Sequence, residues 1–331
     1  MNKMKAASLF AVGDLRYIDM EVPSCENDEV LVKIKNCGIC GSDVGRVLHK
    51  GTYHFPTVPG HEFSGVIIFD PQGKDEGKRV AVYPLLPCFK CDECANERYA
   101  QCRNYDYYGS RRDGGYAEYI AVKRFNLIYL PDNVGFEEGA MCEPVSVALA
   151  ATKKLEIKTG ENLLVIGAGP IGLMVGMWAQ SFGADKIYYS DIDNNKLEFV
   201  KKFGFYAFNG EKIDKVLEGS GAGSGVICAV NAVEPFGRIV LMGNPSGAVT
   251  IDPSTWQNIL RKEIILKGTW NSSFSQREND WKESVKAISD GKLKLRGLIT
   301  HRVAIKDVFS AIKMMAEHKE FYCKVMIDNE R

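Results

Sequence analysis

Over the first 145 residues, apolar positions come in short runs separated by Gly/Pro turns: Glu29–Lys35 (EVLVKIK), Gly65–Phe69 (GVIIF), Arg79–Tyr83 (RVAVY) and Tyr116–Val122 (YAEYIAV). Short runs of this composition read as strands, so this part of the chain is predicted to be β-rich. From about residue 147 the pattern changes. Asn162–Ile166 (NLLVI) is one continuous apolar strand, followed by a glycine-rich turn and an apolar helical run through Ala179. Further strands are predicted at Lys186–Ser190, Arg238–Met242 and Ile264–Lys267. Strand–helix alternation of this kind predicts an α/β unit with a doubly wound parallel sheet. Between the candidate third strand (Tyr206–Asn209) and fourth strand (Lys215–Glu218) lie only the residues Gly210–Asp214. A parallel crossover normally takes about a dozen residues or more. The third strand is therefore predicted to be very short or absent, with its following helix missing. Near the carboxyl end, Val308, Ile312 and Met315 share one face of a helix predicted over Asp307–His318, as a core stripe does.

A length of 331 residues predicts about two domains. Lysine plus arginine equals aspartate plus glutamate at 42 each, so nothing favours a polyanionic partner such as nucleic acid. Lys3 and Lys5 precede a short apolar stretch, Ala6–Val12, that is too brief for a signal sequence. No stretch approaches the roughly 20 apolar residues of a membrane span. The expectation is a cytoplasmic protein without membrane or nucleic-acid partners. Ten cysteines without a secretion signal fit a reducing compartment, where clustered thiols bind metal more often than they form bridges.

Four of those cysteines, Cys88, Cys91, Cys94 and Cys102, form a C-x2-C-x2-C-x7-C run. Thiolates this close in sequence cannot all pair as unstrained disulfides. They can wrap one tetrahedral zinc ion at about 2.3 Å per sulfur. A site closed by four cysteines has no open position for substrate, so the predicted role is structural, in a lobe spanning 88–102.

The turn after Asn162–Ile166 is Gly167-Ala-Gly169-Pro170-Ile171-Gly172, and a helix is predicted to follow. That is the context of the dinucleotide fingerprint. Gly167 would make the tight turn, Gly169 would let the backbone approach the pyrophosphate, and Gly172 would allow close helix–strand packing. Asp191, at the end of the next strand, places a carboxylate where it would bond the ribose 2′-OH of NAD and repel a 2′-phosphate. No arginine follows it. NAD rather than NADP is predicted, with Lys196 as a further candidate cofactor contact.

Cys37-Gly-Ile-Cys40-Gly-Ser42-Asp43, Gly60-His61-Glu62 and Cys142-Glu143-Pro144 supply the remaining chemistry. Cys40, His61 and a carboxylate would make a three-ligand zinc site with an open fourth position, the catalytic pattern. Taken with the quartet and the glycine fingerprint, these pieces resemble the zinc-dependent medium-chain dehydrogenases over essentially the whole chain. Leu85-Leu-Pro-Cys88, the segment Gly109–Gly115 and the segment Gly268–Ser273 look most like the polyol and polyol-phosphate dehydrogenases among them.

The resemblance implies a GroES-like catalytic domain over 1–146 and 276–331, and a Rossmann NAD-binding domain over 147–275. It implies two zinc ions per chain, with Cys40 and His61 binding the catalytic one. The third protein ligand is Glu62 or Glu143. Adjacent residues on an extended strand point oppositely, so His61 and Glu62 would bind together only across a turn, which favours Glu143. Asp43 would orient His61 through its other ring nitrogen. Ser42 matches the hydroxyl that takes the alcohol proton. Gly45 stands where other branches carry a relay histidine, so protons would leave through water or the cofactor ribose.

The implied reaction is reversible oxidation of a secondary alcohol of a polyol or polyol phosphate, in a homodimer or homotetramer. Arg111 and Arg112 are the candidate phosphate ligands, since arginine's planar fork suits phosphate; as an alternative they form a solvated pair bonded to Asp113. Tyr53, His54 and Phe55 are candidates for the pocket mouth. His301 and Arg302 are candidates for approaching the cofactor. Two other functions compete: a dehydrogenase of unphosphorylated sorbitol, butanediol or threonine, and a zinc-stabilised NAD-binding sensor or structural subunit. A sensor would be expected to lack Cys40, Ser42 or His61, yet all three are present.

Overall fold

The computed structural model describes residues 3–245 and 247–331. The chain divides into two compact units, one made of residues up to 143 together with those from 273 onward, the other of residues 144–272.

In the first unit, one sheet runs in the order Ile299–Val303, Lys324–Asp328, Glu29–Ile39, Glu62–Phe69, Arg79–Val82, Leu127–Tyr129, with Tyr119–Lys123 also paired to Glu29–Ile39. Only the Ile299–Val303 and Lys324–Asp328 strands run parallel; the other pairings are antiparallel. Glu29–Ile39 pairs with three strands at once. Its register sets Gly38 opposite Glu62 on one side and Met326 on the other. The Cys37–Cys40 segment, the start of the Glu62 strand and the carboxyl-terminal strand are thereby brought together. Alternate residues of these strands (Val30, Val32 and Ile34; Phe63 and Ile67; Val80 and Val82) fill one core with Val308, Ile312 and Met315 of the helix Val308–Glu317.

The apolar stretch Ala6–Val12 has a different part to play from any the sequence pattern indicated. Its residues up to Ala11 belong to the strand Lys3–Ala11, which forms a hairpin with Asp14–Glu21. Gly13, at φ +79°, makes the turn between them, and Ala6 and Leu9 pack into the core.

The second unit carries a six-stranded sheet in the order Tyr206–Ala207, Ile187–Ser190, Leu163–Ile166, Ile213–Glu218, Val233–Leu241, Ile265–Gly268. Every pairing is parallel, which is the doubly wound arrangement. Leu163, Leu164 and Val165 are fully buried, as a strand covered on both faces must be. The short spacing before Ile213 has the consequence expected of it. Tyr206–Ala207 is a two-residue strand, and no helix intervenes before Ile213–Glu218. The Val233–Leu241 strand begins earlier than its apolar core suggests, and its register with Ile213–Glu218 shifts near that start. Among the described residues, no helix is long and apolar enough to cross a membrane.

Candidate active site

The four sulfurs of Cys88, Cys91, Cys94 and Cys102 converge within 4.8 Å of one another. Cys91 and Cys94 stand 3.6 Å apart; Cys88–Cys94 and Cys91–Cys102 are both 3.9 Å. Sulfurs placed tetrahedrally about 2.3 Å from one zinc ion would be about 3.8 Å apart, whereas disulfide sulfurs lie about 2.05 Å apart. The cage therefore fits a metal and excludes bridges. Backbone amides of Arg103 and Cys94 pull the Cys91 thiol down to about 6, while burial pushes Cys94 up to about 12. A cation in the cage would offset the repulsion that four thiolates impose on each other. The pairing of Leu85 with Tyr107 and of Leu86 with Asp106 closes the base of this lobe.

A second donor set gathers Cys40, His61 and Glu62, again with all donor atoms within 4.8 Å. Cys40 immediately precedes the short helix Gly41–Gly45. His61 follows Gly60, whose φ of +94° turns the chain into the strand that starts at Glu62. The two residues thus straddle a turn rather than lying inside an extended strand, so strand alternation does not separate them. The donor set found among the described residues thus takes in Glu62, and Glu143, the carboxylate favoured from the sequence, falls outside it. The Tyr107 hydroxyl faces the Glu143 carboxylate at 3.5 Å. Burial pushes Glu143 up to about 7, His61 pulling it down and Glu62 pushing it further up.

Asp43 is completely buried, with Oδ1 3.3 Å from His61 Nδ1. Its Oδ2 accepts hydrogen bonds from the Cys40 amide (3.1 Å) and the Tyr116 hydroxyl (2.9 Å). Burial pushes the Asp43 carboxyl up, but His61 and Arg46 outweigh it and leave the group below the usual carboxylate range. In return Asp43 holds the His61 ring charged well above its ordinary pKa, against the penalty of burial. Asp43 Oδ1, His61 Nδ1 and Glu62 Oε2 are buried without a hydrogen-bond partner. Of these atoms, His61 Nδ1 faces Asp43 Oδ1 and Glu62 Oε2 faces the Lys324 ammonium, so it is the chemistry of the converging donor set that fits a cation. The donor types, one sulfur, one nitrogen and one oxygen, suit zinc.

Two further residues shape this site, and the strand pattern did not single them out. Lys324 opens the carboxyl-terminal strand, is 2% exposed, and pairs its ammonium with the Glu62 carboxylate. It also donates to the Ile39 carbonyl at 3.2 Å. Burial lowers the Lys324 pKa, but Glu62 and Cys40 outweigh it and raise the group overall. A lysine within Cys323–Ile327, whose neighbours are otherwise apolar, is the one signal that would have marked it. Gly38 is the other: a Cβ there would collide with the Glu62 carboxylate and the Lys324 side chain.

In the second unit the fingerprint glycines divide their work. Gly167 takes φ +100°, and a Cβ on Gly172 would strike the Gly167 carbonyl. A Cβ on Gly169 would meet nothing within 4 Å, so the space before the helix Pro170–Ser181 is open. That is the room a pyrophosphate needs at a helix amino terminus. Asp191 sits at the end of its strand, accepting from the amides of Ala168 (2.8 Å) and Asp193 (2.9 Å). Lys196 Nζ lies 3.9 Å from its carboxylate.

The known proteins that this chain resembles carry the same two-part plan. The alcohol dehydrogenase GroES-like domain matches residues 26–132 and the zinc-binding dehydrogenase domain matches residues 170–290. Galactitol 1-phosphate 5-dehydrogenase of Escherichia coli K12 is 36% identical over 92% of this chain and 94% of its own. The chain belongs to the zinc-binding alcohol dehydrogenases. Its structure matches the crystal structure of galactitol-1-phosphate dehydrogenase from Escherichia coli with a TM-score of 0.91, at 35% identity, over 98% of this chain and 100% of that one. A second match, also 0.91, is an alcohol dehydrogenase from Escherichia coli CFT073 complexed with NADH, 29% identical over 99% of this chain and 100% of that one.

Within this dehydrogenase the other candidate residues separate. Ser42 is exposed, and its Oγ accepts a hydrogen bond from Arg46 at 2.8 Å. Gly45 leaves open space where a side chain would stand. Arg302 is engaged elsewhere, donating twice to Glu137 at 2.5 and 3.0 Å. His301 stands 3.7 Å from Glu320. Asp113 pairs with neither arginine beside it, because its carboxylate accepts from the Val58 amide at 2.8 Å. Tyr53 is 65% exposed and lies under the Arg111 guanidinium, 3.9 Å from it.

Proposed function

We propose that this zinc-binding dehydrogenase oxidises a secondary alcohol of a polyol or polyol phosphate of the galactitol 1-phosphate kind to the ketone, reversibly and with NAD. The observation that carries the proposal is the convergence of Cys40, His61 and Glu62, backed by Asp43 and next in sequence to the exposed Ser42 hydroxyl. Cys40, His61 and Glu62 would hold one zinc, and the quartet a second, structural one. When bound, zinc supplies Lewis acidity that favours the alkoxide, and NAD supplies the hydride acceptor. Asp43 fixes the plane and the protonated nitrogen of His61, leaving Nε2 for the metal. Ser42 receives the proton of the alcohol, and the bond from Arg46 keeps its oxygen in place. Lys324 neutralises Glu62 when the metal is away. The clustering of Cys88, Cys91, Cys94 and Cys102 as a metal cage and not as bridges suits a reducing compartment such as the cytoplasm.

A panel with NAD tests the reaction: galactitol 1-phosphate, galactitol, sorbitol, 2,3-butanediol and threonine, each with the zinc-loaded enzyme. The expected result is a higher kcat/KM for the polyols than for butanediol and threonine, with the phosphorylated polyol preferred. The proposal fails if NADH appears with none of them. Cofactor choice rests on Asp191. Asp191→Ser is expected to raise the NADP-to-NAD ratio of kcat/KM by about 10-fold or more, by removing the charge that repels a 2′-phosphate. A ratio that does not change would assign cofactor choice to other residues.

A further inference from the structure

The two adjacent arginines are built into the first unit in opposite ways. Arg112 has its charge answered: Nε stands 3.5 Å from the Asp106 carboxylate, and its guanidinium lies over the Tyr108 ring. Arg111 has no such partner. Its guanidinium is clamped between two aromatic faces, 3.9 Å from the Tyr53 ring centroid and 4.4 Å from that of Tyr105. Its Nε is buried without a hydrogen bond, and among the described residues no carboxylate pairs with it. Stacking orients a guanidinium without neutralising it. The result is a fixed, planar, uncompensated cation.

The backbone around Arg111 is equally fixed. Its amide donates to the Tyr107 carbonyl at 3.0 Å, which makes the turn that follows Tyr107. His54 Nε2 meets the Arg111 carbonyl at 3.0 Å, and the Tyr53 amide donates to the Ser110 carbonyl at 3.1 Å. The segment carrying Tyr53 is therefore stapled to the segment carrying Arg111.

A chain of rings also ties this cation to the metal site. His61 lies 5.8 Å from Tyr107, Tyr107 lies 6.2 Å from Tyr105, and Tyr105 stacks on Arg111. Tyr107 and Tyr105 thus stand in succession between His61 and Arg111, on the side from which a polyol held at Cys40, His61 and Glu62 would approach it.

We infer that Arg111, clamped by Tyr53 and Tyr105, is the receptor for the phosphate of a polyol phosphate, and that Arg112, its charge already answered by Asp106, has no part in phosphate choice. This deepens the dehydrogenase proposal and rests on it for the identity of the polyol. The guanidinium fork offers parallel N–H donors to two phosphate oxygens, and the ring clamp has already removed the rotamer freedom that binding would otherwise cost.

The test compares kcat/KM for galactitol 1-phosphate with that for galactitol in the zinc-loaded enzyme. Arg111→Met keeps an unbranched side chain between the rings and removes the charge. It is expected to lower the phosphorylated-to-unphosphorylated ratio by about 100-fold. Arg111→Lys, which keeps charge but loses the fork, is expected to lower it by about 10-fold. Arg112→Met is expected to leave the ratio where it is. An unchanged ratio in Arg111→Met overturns the assignment, as does an equal loss on both substrates. Calorimetric titration of galactitol 1-phosphate into the NADH-bound enzyme separates this inference from the reaction itself. Binding that weakens in Arg111→Met without any turnover in the parent enzyme supports the receptor and removes the reaction. Turnover at equal rates with and without the phosphate keeps the reaction and removes the receptor.

Discussion

Cys40→Ala is expected to lower turnover by about 10,000-fold while NADH still binds, and to reduce the metal content from two zinc ions per chain to one. The sulfur is one of only three protein donors in its set, so its loss leaves His61 and Glu62, too few to hold an open site. Without the Lewis acid the alkoxide loses several kcal/mol of stabilisation, and each ~1.4 kcal/mol is a factor of ten in rate. The proposed NADH site lies in the other unit, with Gly167–Gly172 and Asp191, so fluorescence titration of the cofactor should be little changed. His61→Ala should behave alike. Metal analysis of Glu62→Gln and Glu143→Gln then separates the two carboxylates, with the larger loss expected at Glu62. Retained turnover in Cys40→Ala would remove the zinc assignment altogether.

Much of this site was legible as spacing. The C-x2-C-x2-C-x7-C run, the strand-bound glycines and Asp191 each need only local geometry, because every ligand comes from one short segment or from two consecutive strands. The missing crossover helix after Ala207 could be foreseen on the same local ground, by counting residues. What the sequence hid depends on register. Lys324 meets Glu62 only because Lys324–Asp328 and Glu62–Phe69 flank the same strand, Glu29–Ile39. Strand alternation likewise gave no reason to expect the turn that sets Glu62 beside His61. The rule holds within a strand and lapses at its first residue, where the turn at Gly60 lets neighbouring side chains meet. The hairpin Lys3–Glu21 was obscured by the small residues Ala6, Ala7 and Ser8, which carry little strand signal.

The second large effect concerns the quartet. Cys94→Ala is expected to remove the other zinc, to expose the 88–102 lobe to proteolysis and to lower the thermal midpoint by roughly 10 °C. Cys94 and Cys102 are the buried members of the cage, and the segment has little else to fold around beyond the Leu85–Tyr107 pairing at its base. A structural zinc of this kind supplies folding free energy outright. A local loss of about 4 kcal/mol already accounts for a shift of that size in a unit of about 200 residues. The lobe's exit strand leads straight into Tyr107 and the turn bearing Arg111, so the variant should also lose phosphate preference before it loses turnover on plain polyols. Limited proteolysis with metal analysis checks this. A protected lobe holding one zinc fewer would show that the cage does not depend on its metal.

The carboxyl-terminal strand has a consequence for the order in which the protein is made. Glu62 leaves the ribosome 262 residues (324 − 62) before Lys324, the buried cation that answers it. Until Lys324 emerges, the nascent sheet has an open edge along Cys37–Ile39, and a carboxylate destined for burial has no counter-charge. The charge balance around the Cys40, His61 and Glu62 set is therefore reached only once residue 324 has emerged, and a nascent chain stalled before it would carry the quartet and the fingerprint but an unanswered Glu62.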